Sequence, residues 1–519
     1  MSHEIELEGV KFPEADWEAT PESIKQAMRE IVRQLNEGKG KLEQLSQRVT
    51  ELEEKQRKNS KNSSQPPSKD GFGDKGGQAS KPRARRRKPL KFKVIEGKGE
   101  RGLYEPEACQ AVYEVKAEVC PRCGERLSGV DEHPYQHQVV DVPEVKPEVV
   151  EYRLHQLECE HCGAKTRAKL PEGVSERCYG TRVAGWVGLM SGEYRQSHRQ
   201  VQGMLREGFG IELSRGSINR IRQEMSEAVT AAVGQAHEYV QQQPTVHCDE
   251  TGFAQGNGDG QNPAQRQGWL WVLVSPLVSV FVVALSRSQT TAQHLLGAAF
   301  DGILISDRHS SYGWVDPPQR QVCWAHLLRD FQAMAERPGV AQEIGEALLH
   351  RGYRLLHWWH RVRDGTLSHE LFVQAVHQLR QGMLAELQTA SNLPIALKEK
   401  NPLAKTVRTC IQLLKVEPAL WTFVHTPGVE LTNNAAERAL RPAVIWRYTS
   451  FGAQSQAGSE FVARMLTVNA SLKAQGRSVL EFLIQSCQAA RLGIAGPSLL
   501  PLPQPLPTAR HAAQTLIAL

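Results

Sequence analysis

Apolar residues recur in steps of four and three through residues 21 to 55, at Ile24, Met28, Ile31, Leu35, Leu42, Leu45, Val49 and Leu52, with Gly38 the one defective position. A 3.5-residue repeat keeps one stripe facing a partner, so the segment predicts a coiled coil and self-association. An amphipathic helix packed on its own domain is the other reading of that stripe. Farther on the pattern changes to short apolar runs. QPTVHCDETGF, GWLWVLVS, VSVFVVALSRS and GILISDRHSSY read as strands, with a helical stretch, TTAQHLLGAAF, before the last. The run WLWVLVSPLVSVFVVAL at 269 to 285 falls just short of the roughly 18 to 20 residues of a membrane span. Ser275-Pro276 interrupts it, and two buried strands account for it better.

Three strands, a helix and a fourth strand is the order of a ribonuclease-H-like α/β core. Residues 338 to about 425 are instead strongly helical, with spaced Leu, Ile and Trp, and read as an all-α insertion. Helices return at 432 to 448 and 458 to 475. SHRQVQGMLREGFGIELSRGSINRIRQE, at 197 to 224, reads as helix, turn, helix, with Ser214 as N-cap and Arg215, Asn219, Arg220 and Arg222 on the second helix. A DNA-reading helix-turn-helix and a plain helical hairpin both fit.

The expected fold class is therefore multidomain α/β. A coiled-coil segment occupies 1–57, a disordered basic linker 58–95, a zinc ribbon 96–172 and a helical, helix-turn-helix-like segment 173–240. The ribonuclease-H-like core begins at 241–335, is interrupted by the helical insertion at 336–428, and ends with a catalytic helix and C-terminal core at 429–480, before a tail at 481–519.

Composition changes this picture in three places. The linker is rich in Ser, Pro, Gly, Lys and Arg and cannot bury enough apolar surface to fold. Within it, KPRARRRKPLKFK at 81 to 93 carries eight basic residues and no acid, a pattern that suits a solvated tether or contact with an acidic polymer such as DNA. The start of the chain, MSHEIELEG, has neither a basic region nor an apolar core, so a cytoplasmic protein without membrane association is expected. Ten cysteines in 519 residues do not suggest a disulfide scaffold. Four of them, Cys120 and Cys123 in CPRCG with Cys159 and Cys162 in CEHCG, have the spacing of two zinc knuckles. Four thiolates leave no open position, so this Zn²⁺ is expected to be structural, and strand-like stretches between the knuckles (QHQVVDVPEV, EVVEYRLHQLEC) suggest a ribbon.

Two acids stand at strand ends in apolar surroundings, Asp249 after TVHC and Asp307 after GILIS. Carboxylates on adjacent central strands can hold Mg²⁺ (or Mn²⁺) between them, and a third acid would complete a two-ion site for cutting a phosphodiester. LTNNAAERALRP supplies the candidate, Glu437, on a helix beginning at Thr432 or Asn433. Arg438 and Arg441 are placed to approach phosphates, and Asn433 or Asn434 to orient the carboxylate or a scissile oxygen. Pro442 is expected to fix the helix end. Glu250, Asp330, Glu430 and Glu460 are rivals for the third ligand, although Glu250 neighbours Asp249 on a strand and should point to the opposite face.

HCDETGF, ISDRHSSY, CWAHLLRDF, TNNAAERALRP and FGAQSQAGSEFVARMLTVNASLKAQG, in that order, resemble the transposases of the insertion-sequence-66 family over nearly the whole chain. The resemblance implies a DDE transposase in which Asp249, Asp307 and Glu437 match the catalytic acids, and in which His326 and Arg329 fall in the CWAH-type motif. There they contact DNA or the active site, or else serve as a buried structural histidine and a surface charge. The implied reaction is hydrolysis at the transposon end followed by strand transfer into target DNA, with accessory proteins of the same element as further partners. The coiled coil would pair protomers into a homo-oligomer. A DNA-binding or regulatory protein with a non-catalytic core, and a stand-alone metal-dependent nuclease, are the alternatives.

Overall fold

A computed structural model describes residues 4–7, 10–13, 18–57, 62 and 103–502. The basic run at 81 to 93, nearly all of the expected linker and the tail beyond 502 lie outside the described residues. The chain divides into a small unit, 76–151 with 203–212, and a larger unit containing the rest.

In the larger unit a hairpin of β1 (Glu4–Leu7) and β2 (Val10–Pro13) precedes α1 (Glu22–Arg57), which runs through Gly38 and Gly40 unbroken. Ile24, Ile31, Leu35, Leu42, Leu45, Val49 and Leu52 are each more than half exposed, so the apolar stripe is not buried against the rest of the chain. A short hairpin of β3 (Gln156–Glu158) and β4 (Lys165–Arg167) follows. Then come α2 (Thr181–Gly192), α3 (His198–Phe209, of which 203–209 fall in the small unit), α4 (Arg215–Ala228) and α5 (Thr230–Gln241). Ser214 caps α4 by accepting the Ser217 N–H at 3.0 Å, as its sequence position suggested. Arg215, Asn219 and Arg220 are exposed on this helix, whereas Arg222 turns inward and stacks 4.2 Å from the Phe461 ring centre.

The centre is a five-stranded mixed sheet built from β5 (Thr245–Gly252), β6 (Trp269–Val274), β7 (Ser279–Ala284), β8 (Ile303–Ser306) and β9 (Arg320–Val322), in the order β7-β6-β5-β8-β9. β5, β6 and β7 are antiparallel neighbours, and β8 and β9 run parallel to β5. The 269–285 run is the β6–β7 hairpin, closed by the Ser275 N–H on the Val278 carbonyl. α6 (Gln289–Leu296) crosses from β7 to β8. β7 is an edge strand, and its open N–H groups are taken by a helix: Thr467 Oγ1 accepts from Phe281 at 2.9 Å and Ser471 Oγ from Ser279 at 3.1 Å. Both hydroxyls belong to α13 (Gln456–Ala474) and are buried, which removes the edge as a pairing site.

β9 has no sequence signature because its residues are polar. Arg320 and Gln321 are nonetheless buried, and Gln321 spends its amide on the Val322 and Leu420 carbonyls and the Phe423 N–H. After α7 (Trp324–Ala335) comes the expected all-α region: α8 (Val340–Arg363), α9 (His369–Ser391), α10 (Pro402–Lys415) and the short α11 (Thr422–His425). Its core packs Trp324 against Trp421 (centroids 5.2 Å apart) and Trp359 against Phe423 (5.1 Å), with Phe372, Met383 and Leu387 beside them. Gly345 makes the α7–α8 approach possible, because a Cβ there would lie 2.1 Å from the Ala335 nitrogen.

The chain returns to the sheet through α12 (Asn434–Ser450) and α13, and α14 (Val479–Leu492) follows. Two expectations change here. Pro442 lies inside α12 rather than at its end. It forfeits one backbone bond, to the exposed Arg438, while buried Leu440, Ala443 and Trp446 hold the helix on the sheet. The segment from 481 is not all tail: Phe482, Leu483 and Cys487 are buried on α14.

In the small unit, Tyr104 and Gln138 exchange two hydrogen bonds, of 2.8 and 2.7 Å. Its 136–151 stretch contains no strand, against the alternation in QHQVVDVPEV. Val139, Val142 and Val149 are each more than four-fifths exposed there, so no apposed layer rewards the pattern.

Candidate active site

Asp249 sits in the central strand β5, opposite Val272 of β6. Asp307 follows the last residue of β8, the parallel neighbour of β5, so both acids stand toward the carboxyl ends of adjacent strands. Such strand ends are where open α/β sheets place ligands. The turn bearing Asp307 is held from below. Arg320 donates to the Ser306 hydroxyl and to the Tyr312 and Asp307 carbonyls (3.3, 3.1 and 2.7 Å), and the His309 N–H donates to Asp307 Oδ1 at 2.8 Å.

Glu437 occupies the first turn of α12. That helix is anchored to β5 by Asn433, which is wholly buried: its amide donates to the Cys248 carbonyl at 2.8 Å, and its Oδ1 lies 3.1 Å from His247 Nδ1. The Asn433 N–H also donates to Cys323 Sγ at 3.1 Å. Asn433 thus fixes the start of α12 on β5. Asn434, Arg438 and Arg441 are exposed.

His326 and Arg329 both point at Glu437. The Arg329 guanidinium donates to Glu437 Oε1 at 3.2 Å, and His326 Nδ1 lies 3.5 Å from the same oxygen. Neither is a surface group, with side chains 14% and 19% exposed. Burial, with Arg329 adding to it, pushes the His326 pKa down, so the imidazole is neutral at pH 7.

The electrostatics at Asp249 are unfavourable. Burial, then the charges of Glu250, Asp307 and Glu437, push its carboxyl well above the usual range. Asp249 thus lies within electrostatic reach of Asp307 and Glu437, and an oxygen-only set of these three acids would fit a hard divalent cation. Among the rivals, Asp330 is paired with Arg308, Glu460 with Arg464, and Glu430 is exposed. Glu250 is the surprise. Its side chain is fully buried, donated to by Arg287 at 2.6 Å and by the Tyr312 hydroxyl, with His309 Nδ1 3.9 Å away. Its strand position gave the facing; nothing in the sequence showed that Tyr312 and Arg287 would enclose it.

The cysteine pairs form two alike turns, each described by itself. At the first, Cys120 N–H reaches the Glu125 carbonyl and Gly124 N–H returns to the Cys120 carbonyl, with Gly124 at φ +76°. At the second, Cys159 N–H reaches Ala164, Gly163 N–H returns to Cys159, and Gly163 has φ +70°. Backbone N–H groups of Arg122 and Cys123 lower the Cys120 pKa, and those of Cys162 and His161 lower that of Cys159. N–H donors around a cysteine sulfur favour the form that ligates zinc, and each turn taken by itself has the two-cysteine geometry of a knuckle.

Comparison with known proteins locates this geometry. The family model described as Transposase IS66 family matches residues 193–461, and a model for a family of unknown function (DUF6444) matches 18–101. An uncharacterized protein of Sinorhizobium fredii, y4qI, is 26% identical over 315 residues, covering 56% of this chain. The matched segment spans 55% of that relative's length. Among the described residues no helix is long and apolar enough to cross a membrane.

Proposed function

The chain belongs to the transposase IS66 family, and we propose that it is a DDE-type DNA transposase with a ribonuclease-H-like core, acting on the ends of an insertion sequence. What supports this reading is that Asp249, on a central strand, lies within electrostatic reach of Asp307, just past the end of the parallel neighbour strand, and of Glu437, in the first turn of a helix that Asn433 anchors to β5.

Asp249, Asp307 and Glu437 would hold Mg²⁺ or Mn²⁺, which when bound supplies positive charge to the attacking and leaving oxygens of a phosphodiester. The chain's own part is positioning. Arg320 and the His309 N–H fix the Asp307 turn, Asn433 fixes the rotation of α12 on β5, and Arg329 with His326 aims the Glu437 carboxylate. Exposed Arg438 and Arg441 are available to DNA phosphates beside the acids. Water cuts the strand at the element's end and leaves a 3′ hydroxyl; that hydroxyl then displaces a 3′ oxygen at a target phosphate, joining the strands without a covalent protein intermediate. Arg215, Asn219 and Arg220 on α4, with Zn²⁺ as the ion expected at the Cys120–Cys123 and Cys159–Cys162 knuckles, would grip the ends. The uncovered stripe of α1 would pair protomers so that two ends are processed together.

The test is incubation of the purified chain with labelled terminal-repeat DNA and Mg²⁺ or Mn²⁺. Nicking and joining that disappear in Asp249→Asn and Asp307→Asn are expected. Sequence-specific retention with no scission would replace this reading with a binding protein, and scission without joining would replace it with a nuclease.

A further inference from the structure

Cys323 and His326 are separated by two residues at the start of α7, with Cys323 as the N-cap residue and His326 in the first turn. A sulfur and an imidazole at this spacing face the same side of a helix entry, the arrangement used by C-x-x-H metal knuckles. The sulfur already accepts the Asn433 N–H at 3.1 Å, the kind of donor that accompanies metal thiolates. His326 Nδ1 is buried without a hydrogen-bond partner, an uncompensated polar atom beside Glu437 Oε1. One donor atom from each of Cys323, His326 and Glu437 lies within 4.8 Å of the other two. Around a tetrahedral ion with bonds of about 2.0 to 2.3 Å, such atoms sit roughly 3.5 Å apart, so small side-chain rotations close the set.

We propose that Cys323, His326 and Glu437 form a second cation site, selective for a Zn²⁺-like ion, with three protein ligands and an open fourth position. Sulfur, nitrogen and one carboxylate prefer zinc or cobalt and discriminate against Mg²⁺, the reverse of an all-oxygen set. The thiol proton leaves to solvent as the metal–sulfur bond forms, and the imidazole binds through Nδ1 with its ring proton on Nε2. Arg329 stands at the same Glu437 oxygen and opposes entry, because a cation arriving there must move the guanidinium aside.

The consequence for catalysis rests on the assignment of Glu437 to the Mg²⁺ set. Zinc on Cys323 and His326 competes for the Glu437 oxygens and turns that carboxylate away from the geometry it would share with Asp249 and Asp307. The site is an off-switch that reads which metal is present.

Co²⁺ is the probe, added to the full-length chain and to Cys323→Ser, which share the ribbon cysteines so that their contribution cancels in the difference. The wild type is expected to bind one more Co²⁺ and to show extra sulfur-to-cobalt absorbance. Glu437→Gln, at a half-buried position, checks the same site with the thiol intact and should bind that ion at least tenfold more weakly, whereas Arg329→Gln should bind it more tightly. Equal stoichiometry and equal spectra in wild type and both weakened variants overturn the site. In a second measurement Zn²⁺ is titrated into Mg²⁺-supported strand cleavage. Half-inhibition of the wild type should need at least tenfold less Zn²⁺ than Cys323→Ser, each compared with its own zinc-free rate. Equal zinc sensitivity overturns the switch even where the cobalt difference stands. A chain that binds the extra Co²⁺ but never cuts DNA refutes the transposase reading and leaves the metal site intact.

Discussion

The helical insertion and the sheet each bury an acid, and they treat it in opposite ways. In the insertion, Glu417 receives a two-pronged grip from Arg380 at 2.8 and 2.6 Å and the Trp421 indole N–H at 2.7 Å. Its charge is matched and its oxygens are occupied. At the sheet, Asp249 accepts its own neighbour's N–H at 2.9 Å, and the charges of Glu250, Asp307 and Glu437 all disfavour its ionised form. A buried carboxylate with a full set of donors belongs to the architecture; one surrounded by like charge is held in place by the rest of the fold for a partner of opposite charge.

The largest effects should separate these two classes. Asp307→Asn should lower the rate of strand cleavage by at least about 1000-fold while leaving the unfolding midpoint in urea nearly unchanged. Glu417→Gln should do the reverse, costing roughly 3 kcal/mol of stability by stranding Arg380, with the folded fraction cutting DNA at the ordinary rate. Equal effects of the two changes on cleavage per folded molecule would dissolve the contrast.

An intermediate effect concerns Asp249 itself. Its carboxyl is raised, chiefly by burial, so the folded chain takes up a proton there more readily than the unfolded chain. Its contribution to the stability of the ion-free protein is complete at low pH and is lost as the pH rises through the folded-state value. Asp249→Asn should therefore raise the melting temperature in EDTA at neutral pH, and the gap should close as the medium becomes more acidic than the ordinary carboxyl range. Mg²⁺ should stabilise the wild type and not the variant. A lower melting temperature for Asp249→Asn at pH 7 would show that the carboxylate is structurally paired after all.

The smallest effect lies in the backbone. Positive φ in the insertion falls on glycines, at Gly339, Gly365 and Gly428, whereas α12 ends on Phe451 at φ +57° with its ring 83% exposed. The next residue, Gly452, is irreplaceable for a different reason, since a Cβ there would lie 2.1 Å from the Ala254 carbonyl oxygen. Phe451→Gly should stabilise the fold by about 1 kcal/mol, read as a small rise in melting temperature. No gain would mean that the strain is compensated locally.

What could be read from the residues divides along the same physical line. Continuous apolar runs located β6 and β7, and spaced apolar residues located the insertion, because burial writes periodicity into sequence. Asp307 stands just past the end of β8, as its place after GILIS suggested, whereas β5 runs on to Gly252 and leaves Asp249 inside the strand. β9 was not legible, because Arg320 and Gln321 bury their polarity against carbonyls that lie elsewhere in the chain. Pro442 suggested a helix end because its local cost is visible and the tertiary contacts that offset it are not. Asn433 looked like a ligand-facing residue, yet its partners are His247 and Cys248, nearly two hundred positions away. Long-range hydrogen bonding leaves no periodic trace.

The insertion lies between Asp307 and Glu437, so the acids on the strands leave the ribosome well before the one on α12. A chain that stops within those helices would carry the first two carboxylates and lack the third. If the three acids act together as proposed, completeness of the chain is itself a condition for cutting.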